Sequence, residues 1–348
     1  MAETGYYRLR QCVWEITLAC CFSCSHCGSR AGKAREGELD TKECLEVSEQ
    51  LSELGCRRVS LIGGEVFMRP DWAVIAESLI SKGISTCIIT NGLLLGEEQA
   101  AAIKRMGAES VAVSIDGNRE VHDLYRQKGS FDAALKAIDL LSEFGIPVSV
   151  ITTLNGTNVK CLEELFGILK TKDIFAWQLQ ACSPMGNAGE GVFDSRFDFR
   201  SVIGFVYEHR WKCAFALGVA DNIGYYTEEE GLLRGNVTGK SYYGGCSAGI
   251  SGLGIDSVGN VRGCEALYDD SFIEGNLRER SLAEIWNDPG AFSYNRNFST
   301  DMLTGGCRGC EYGERCRGGC RSYNYFAGGD LYGSPSCARF SIDRQGCL

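Results

Sequence analysis

The sequence predicts an α/β protein: a partial TIM-like barrel of six strand–helix units, (β/α)6, followed by a smaller cysteine-rich domain. From Cys12 to about Gln180, short apolar runs alternate with segments of helical period, the pattern that yields parallel strands covered by helices. From Gly244 onward the chain turns dense in Gly and Cys and lacks long helical patterns. The length of 348 residues is enough for two units at roughly 100–200 residues each. The division expected is 10–235 for the barrel with a helical bridge near 197–213, and 236–348 for the cysteine-rich domain, with the boundary inside 235–245.

The strands are expected near 12–18, 57–62, 84–90, 109–115, 147–154 and 174–180, the first reading Cys-Val-Trp-Glu-Ile-Thr-Leu. Helices fall between them near 40–54, 70–82, 97–106, 131–144 and 158–171. Asp40, with Glu43 three residues on, forms a capping box for the first helix. In the last, Val159, Leu162, Leu165, Phe166 and Leu169 share one face, which is core packing. After Gln180 comes a loop containing Ser183-Pro184-Met185-Gly186-Asn187-Ala188-Gly189, at the end of a strand where parallel architectures place ligands. A substrate lid and a plain connector both fit it.

Apolar residues at 44% and charged residues at 23% exclude a disordered chain, a coiled coil and a collagen-like fibre. No run approaches the roughly 18 apolar residues of a membrane span, and Met1 to Arg10 lacks the apolar centre of a secretion signal, so a cytoplasmic protein is expected. A net charge of -10 argues against a nucleic-acid partner, since phosphate neutralisation needs a basic face. The outlier is the cysteine count: 19, beside only three histidines. In a reducing compartment, spaced cysteines point to metal or catalysis rather than disulfides.

Directly after the first strand runs Cys20-Cys21-Phe22-Ser23-Cys24-Ser25-His26-Cys27. Three thiolates, Cys20, Cys24 and Cys27, suit a four-iron cubane with one iron left open for a small molecule. A zinc knuckle that adds His26 uses the same residues. The second strand ends in Gly63-Gly64-Glu65, where two residues without side chains would let a ligand reach the backbone and a carboxylate could accept an ammonium. The third ends in Thr90-Asn91-Gly92 and the fourth in Ser114-Ile115-Asp116-Gly117, so polar groups gather at one mouth.

With these motifs the chain resembles the radical S-adenosylmethionine (SAM) enzymes, marked by C-x3-C-x2-C after the first strand of a partial barrel. The resemblance implies that Cys20, Cys24 and Cys27 hold a 4Fe–4S cluster whose open iron chelates SAM. Gly63, Gly64 and Glu65 match the family's methionyl-amine motif, although Val66 stands where proline is usual. His26 falls at a position that lies against the adenine. Ser114, Asp116 and Arg126, the last in His122-Asp123-Leu124-Tyr125-Arg126, match its carboxylate- and ribose-binding region, and Asn91 is counted with the cofactor-binding residues. The implied chemistry is reductive cleavage of SAM to a 5'-deoxyadenosyl radical that takes hydrogen from a C–H bond.

The C-terminal region holds Cys246, Cys264, then Cys307-x2-Cys310-x5-Cys316-x3-Cys320, then Cys337. The compact stretch alone could be a structural zinc site; seven thiols divide more naturally into a four-thiolate cluster and a three-thiolate one. The spacing resembles the SPASM domain of a subset of radical SAM enzymes that includes sulfatase and mycofactocin maturases. By that resemblance Cys307, Cys310, Cys316 and Cys337 hold an outer cluster and Cys246, Cys264 and Cys320 an inner one, three 4Fe–4S clusters in all. No cysteine lies in 247–253, so the inner cluster either keeps an open iron or takes a nearby side chain or Cys347.

The resemblance implies a peptide maturase working with SAM, a flavodoxin- or ferredoxin-type reductant, and either a separate leader-binding protein or a short peptide substrate. The expected product carries a crosslink, thioether or unsaturation. Epimerisation or dehydrogenation of a peptide stereocentre or small molecule is the alternative, with Cys182 as hydrogen donor. A non-enzymatic iron–sulfur carrier would explain the cysteines but not the polar strand ends around the first set.

Overall fold

The computed structural model describes residues 7–190, 198–234 and 241–340. All six expected strands form: β1 (Gln11–Glu15), β2 (Arg58–Ile62), β3 (Ser85–Thr90), β4 (Ser110–Ser114), β5 (Val148–Leu154) and β6 (Ala176–Ala181), parallel and adjacent in chain order. The connecting helices are α1 (Thr41–Glu53), α2 (Trp72–Ser81), α3 (Glu97–Met106), α4 (Arg119–Tyr125), α5 (Ser130–Glu143) and α6 (Leu162–Leu169). Trp14, Leu61, Ile88, Val113, Val150 and Leu179, one from each strand, are wholly buried. Such burial contributes about 1.5–3 kcal/mol for each side chain, which is what ties strand to helix layer.

Local chemistry behaves as the sequence indicates. The Glu43 amide donates to Asp40 Oδ1 and the Asp40 amide to Glu43 Oε2, both at 2.8 Å, closing the capping box on α1. Leu162, Leu165, Phe166 and Leu169 bury the inner face of α6, and Val159 packs beside them from the preceding turn.

Two features go beyond the expected six units. The bridge contains α7 (Phe199–His209), but a seventh parallel strand, β7 (Ala216–Val219), follows it and pairs with β6. Ala-Leu-Gly-Val is short and carries a glycine, a weak strand signal on its own. In the cysteine-rich region, β8 (Gly252–Ile255) pairs in parallel with β1, from Gln11 opposite Gly252 to Trp14 opposite Ile255. β9 (Asn260–Arg262) and β10 (Gly275–Asn276) continue antiparallel. The sheet order is therefore β10-β9-β8-β1 through to β7, so the C-terminal region covers the edge that β1 would otherwise expose. Glu15, 1% exposed at the end of β1, is paired with Arg35, which also contacts Ser257 and Tyr268 across this junction. Of the expected boundary, 235–240 lies outside the described residues. Among the described residues, no helix is long and apolar enough to cross a membrane.

Candidate iron–sulfur and cofactor site

The loop leaving β1 carries Cys20, Cys24 and Cys27, all half-buried. Its backbone is pinned: the Cys20 amide donates to Gly32 O at 2.9 Å, that of Cys27 to Cys24 O at 3.2 Å, and that of Ser25 to Tyr125 O at 2.9 Å. Two amides point at sulfur, Phe22 N–H to Cys20 Sγ at 3.4 Å and Ala31 N–H to Cys27 Sγ at 3.3 Å; the hydrogen bond to Cys21 and burial nevertheless raise the Cys20 thiol. Burial pushes Cys24 up to about 11, against the opposing pull of Arg126. Cys21, absent from the expected ligand set, takes a hydrogen bond from Cys20 that lowers it to about 6, and Asn91 Nδ2 reaches its Sγ at 3.5 Å.

The strand ends do converge here, and the end of β2 is held by the protein's own contacts. A Cβ on Gly64 would lie 2.4 Å from Ala19 O and 2.5 Å from Leu18 O, and one on Gly63 2.8 Å from Thr17 O. These glycines are thus required by the close approach of β2's end to the root of the cysteine loop, where Gly64 N–H donates to Thr17 O and Glu65 N–H to Ala19 O, both at 2.8 Å. Glu65, expected to accept a ligand's ammonium, is 1% exposed and already accepts three donors of the protein. It accepts from Thr90 Oγ1 and the Asn91 amide at 2.8 Å and from the Phe67 amide at 3.3 Å. Burial raises its pKa to about 7 despite these donors. These bonds tie Thr90-Asn91 to the end of β2, beside the loop.

Asp116, just past β4, is the hub of a buried network. Its Oδ2 lies 2.6 Å from Arg126 Nε and 3.0 Å from His26 Nε2, and its Oδ1 accepts the Thr153 amide at 2.8 Å. Burial opposes ionisation, but Arg126 and His26 outweigh it and hold the carboxyl far below the usual carboxylate range. The Asp116 amide donates to His122 Nδ1 at 3.0 Å, and Asn158 Nδ2 donates to Asp116 O at 2.8 Å. Burial, with Arg126 nearby, depresses His122 to about 4. His26 is therefore turned through Nε2 to a carboxylate, with its ring edge against Tyr125. Ser114 closes β4, half-buried, next to this network.

The loop after β6 proves to be a clasp. The Asn187 amide donates to Cys27 O and its Nδ2 to Cys24 O, both at 2.9 Å. Gly186, at φ +57°, presses so close that a Cβ would sit 2.4 Å from Cys27 O. Nothing in Pro-Met-Gly-Asn marked this role beyond its being a loop at a strand's carboxyl end. Cys182 is buried beside Tyr125 and Ala188, its thiol raised by burial and by Asp116, which puts it near the same network.

In the C-terminal region, Cys307, Cys310, Cys316 and Cys337 line a single small cavity of about 20 Å³ together with Tyr225, Tyr226 and Tyr312. Burial raises Cys316 to about 12 and Cys337 to about 11, with neighbouring thiols adding to each. Four thiols round one void match the donor set of a four-iron cluster. Cys246, Cys264 and Cys320 form the second group; burial pushes Cys264 up to about 12, and Cys246 raises both of its companions further. Among the described residues, no three or more His, Cys, Asp or Glu are placed to hold a single metal ion. Cys347, the other completing residue considered, lies outside the described residues.

Residues 14–169 match the model of the Radical SAM superfamily, and residues 246–311 that of an iron–sulfur cluster-binding domain, SPASM. The AdoMet-dependent heme synthase of Methanosarcina barkeri is 30% identical over 94% of this chain and 96% of its own length. The mycofactocin maturase MftC of Mycolicibacterium smegmatis is 30% identical over 93% of this chain and 81% of its own. Among solved structures, Streptococcus suis SuiB bound to S-adenosylmethionine superposes with a TM-score of 0.77 over 95% of this chain and 77% of that one, at 17% identity, a likeness of fold.

Proposed function

The chain belongs to the radical SAM superfamily and carries a C-terminal SPASM domain, and from that premise we propose that it is a peptide maturase, oxidising a ribosomally made peptide to a crosslinked, thioether-bearing or unsaturated product. Membership makes it an enzyme, which disposes of the carrier alternative, and makes SAM and iron–sulfur clusters its cofactors. The observation that carries the oxidative reading is the cavity ringed by Cys307, Cys310, Cys316 and Cys337, a site for an electron acceptor beyond the SAM-binding cluster. The similarity to MftC favours a peptide as substrate.

In this reading Cys20, Cys24 and Cys27 hold the SAM-binding cluster, the outer four cysteines a second and the inner three a third. When loaded, the first cluster with SAM supplies the hydrogen-abstracting radical. The protein's own part is positional. Glu65 fixes Asn91, and Asp116 holds His26 and Arg126 facing the cysteine loop, where a guanidinium suits a carboxylate and a histidine ring an adenine. Asn187 closes the loop from the β6 side, and Cys182, buried there, stands as hydrogen donor if the product is an epimer. The barrel with its bridge occupies 10–235 and the cluster domain 236–348, with a flavodoxin- or ferredoxin-type reductant and a separate leader-binding protein or a short peptide completing the system.

The test is anaerobic reconstitution with iron, sulfide, dithionite and SAM, followed by incubation with short peptides encoded beside the gene. Expected are about 12 irons per chain, 5'-deoxyadenosine, and a peptide lighter by two hydrogens. A peptide of unchanged mass but inverted stereochemistry that reverts when Cys182 becomes Ala supports epimerisation instead. A second reading, a small molecule as substrate, is favoured by the 30% identity to the heme synthase across 94% of the chain. An iron porphyrin consumed in the same assay while every peptide is left unchanged would replace the peptide reading with that one.

A further inference from the structure

The inner and outer groups of C-terminal thiols meet at one side chain, Tyr225, on the loop leaving β7. Its hydroxyl donates to Asp221 O at 2.7 Å and accepts the Cys320 amide at 3.0 Å, which ties the ring to the backbone of an inner thiol. The same ring lines the outer cavity and shares a buried apolar cluster with Cys316. Between Cys316 and Cys320 the chain passes directly beneath it: a Cβ on Gly319, at φ +86°, would lie 2.8 Å from Tyr225 Cε2 and 3.0 Å from Cζ. The phenol therefore fills the gap between the two groups.

The segment that carries the ring is tied to the outer group as well. Gly224 O accepts the Ala338 amide at 3.0 Å, one residue past Cys337, and Arg339 Nη1 reaches Tyr226 O at 3.4 Å. Arg234, its charge matched by buried Glu230 at 2.7 Å, donates from Nη2 to Ile223 O at 2.5 Å. Its guanidinium lies 4.8 Å from the Tyr243 ring, which is itself 4.8 Å from that of Tyr225. Held in this way, Gly224, Tyr225 and Tyr226 all have positive φ, +125°, +138° and +52°. Two consecutive non-glycine residues in that region persist only where surrounding contacts over-determine them. Here those contacts reach Cys320 on one side and the stretch after Cys337 on the other.

We propose that Tyr225 is a positioning residue that sets the spacing of the inner and outer auxiliary clusters, its ring standing between the two ligand groups and its hydroxyl locking one to the other. This rests on the cluster reading above. Working constellations are held to about 0.5 Å by side chains that packing and hydrogen bonds lock in turn, and Tyr225 is locked by both. The two clusters then form a pair with one fixed separation rather than two independent centres.

The test uses the full chain carrying Cys20→Ala, Cys24→Ala and Cys27→Ala, so that only the auxiliary clusters remain, with about eight irons. After reduction with dithionite both clusters are paramagnetic, and pulsed electron paramagnetic resonance reads the dipolar coupling between them, which varies with the inverse cube of their separation. This parent gives one narrow coupling. Adding Tyr225→Phe keeps the ring but frees the Cys320 amide and the Asp221 carbonyl, so the strained path relaxes. About eight irons remain, and the separation shifts or spreads by more than about 0.5 Å. A parent coupling already that broad, or one unchanged in Tyr225→Phe, overturns the proposal. So does a fall to about four irons on adding Tyr225→Phe, which would make the tyrosine the support of a single site. About four irons or fewer in the background chain overturns the cluster reading itself, and the proposal with it.

Discussion

Replacing Gly64 by Ala tests the claim that this glycine serves the cysteine loop rather than the ligand. The added Cβ would stand 2.4 Å from Ala19 O and 2.5 Å from Leu18 O, where ordinary contact begins at 3.4 Å. Both obstacles are backbone atoms and cannot rotate aside. Ala19 O is also the acceptor for Glu65 N–H, so relief means displacing residues 18–19, directly before Cys20, by about 1 Å. Positioning of a reactive constellation tolerates about 0.5 Å, and a 1 Å misplacement costs on the order of 100-fold in rate. Overpacking of this kind costs about 1–3 kcal/mol, within the 5–15 kcal/mol a folded domain commonly has, so the variant should fold. Expected after anaerobic reconstitution is a chain that keeps the auxiliary irons, loses about four others, and yields on the order of 100-fold less 5'-deoxyadenosine. Gly32→Ala is the matched control, because Gly32 also adjoins the loop but a Cβ there meets nothing within 4 Å. Parent-level iron and SAM cleavage in Gly64→Ala would refute the close-approach account.

Three further outcomes follow from the same geometry. Asp116→Asn leaves buried Arg126 without its counter-charge and should cost about 3–5 kcal/mol in urea unfolding together with SAM cleavage; a loss under 1 kcal/mol would deny the network its structural role. Cys316→Ala opens the outer cavity and should remove about four irons and the oxidised product while 5'-deoxyadenosine still forms, whereas an unaltered product would rule out that cluster as electron acceptor. Because His122 is held neutral, with a folded pKa of about 4 below its ordinary 6.5, the stability it contributes is present above pH 6.5 and is lost as the pH falls towards 4. From pH 7.5 to 5.5 the native state should lose about 1.3 kcal/mol on this account, and His122→Gln should flatten that portion of the pH profile; a profile unchanged by the substitution would show that another group carries it.

The residues of the candidate centres were largely legible in the chain, and the reason is locality. A cluster loop must present its thiols from one short segment, so Cys20, Cys24 and Cys27 announce themselves by spacing, as do Cys307, Cys310 and Cys316. Strand ends carrying Gly64, Asn91 and Asp116 follow from the alternation of apolar runs and helical periods, which depends on neighbours a few residues away. Asn187 and Tyr225 escaped notice because each acts through a partner far along the chain: Cys24 and Cys320.

What the sequence by itself determined, then, is the barrel's units, the two sets of cysteines and the polar rim where the first set lies. Only tertiary packing decided that Glu65 would be consumed by Thr90 and Asn91, that His26 and Arg126 would share Asp116, and that β8 would lie against β1 although more than two hundred residues separate them. Hydrophobic period and turn chemistry fix a segment's conformation and which of its faces is buried, but the identity of what it meets there is set by the closure of the whole chain around its core.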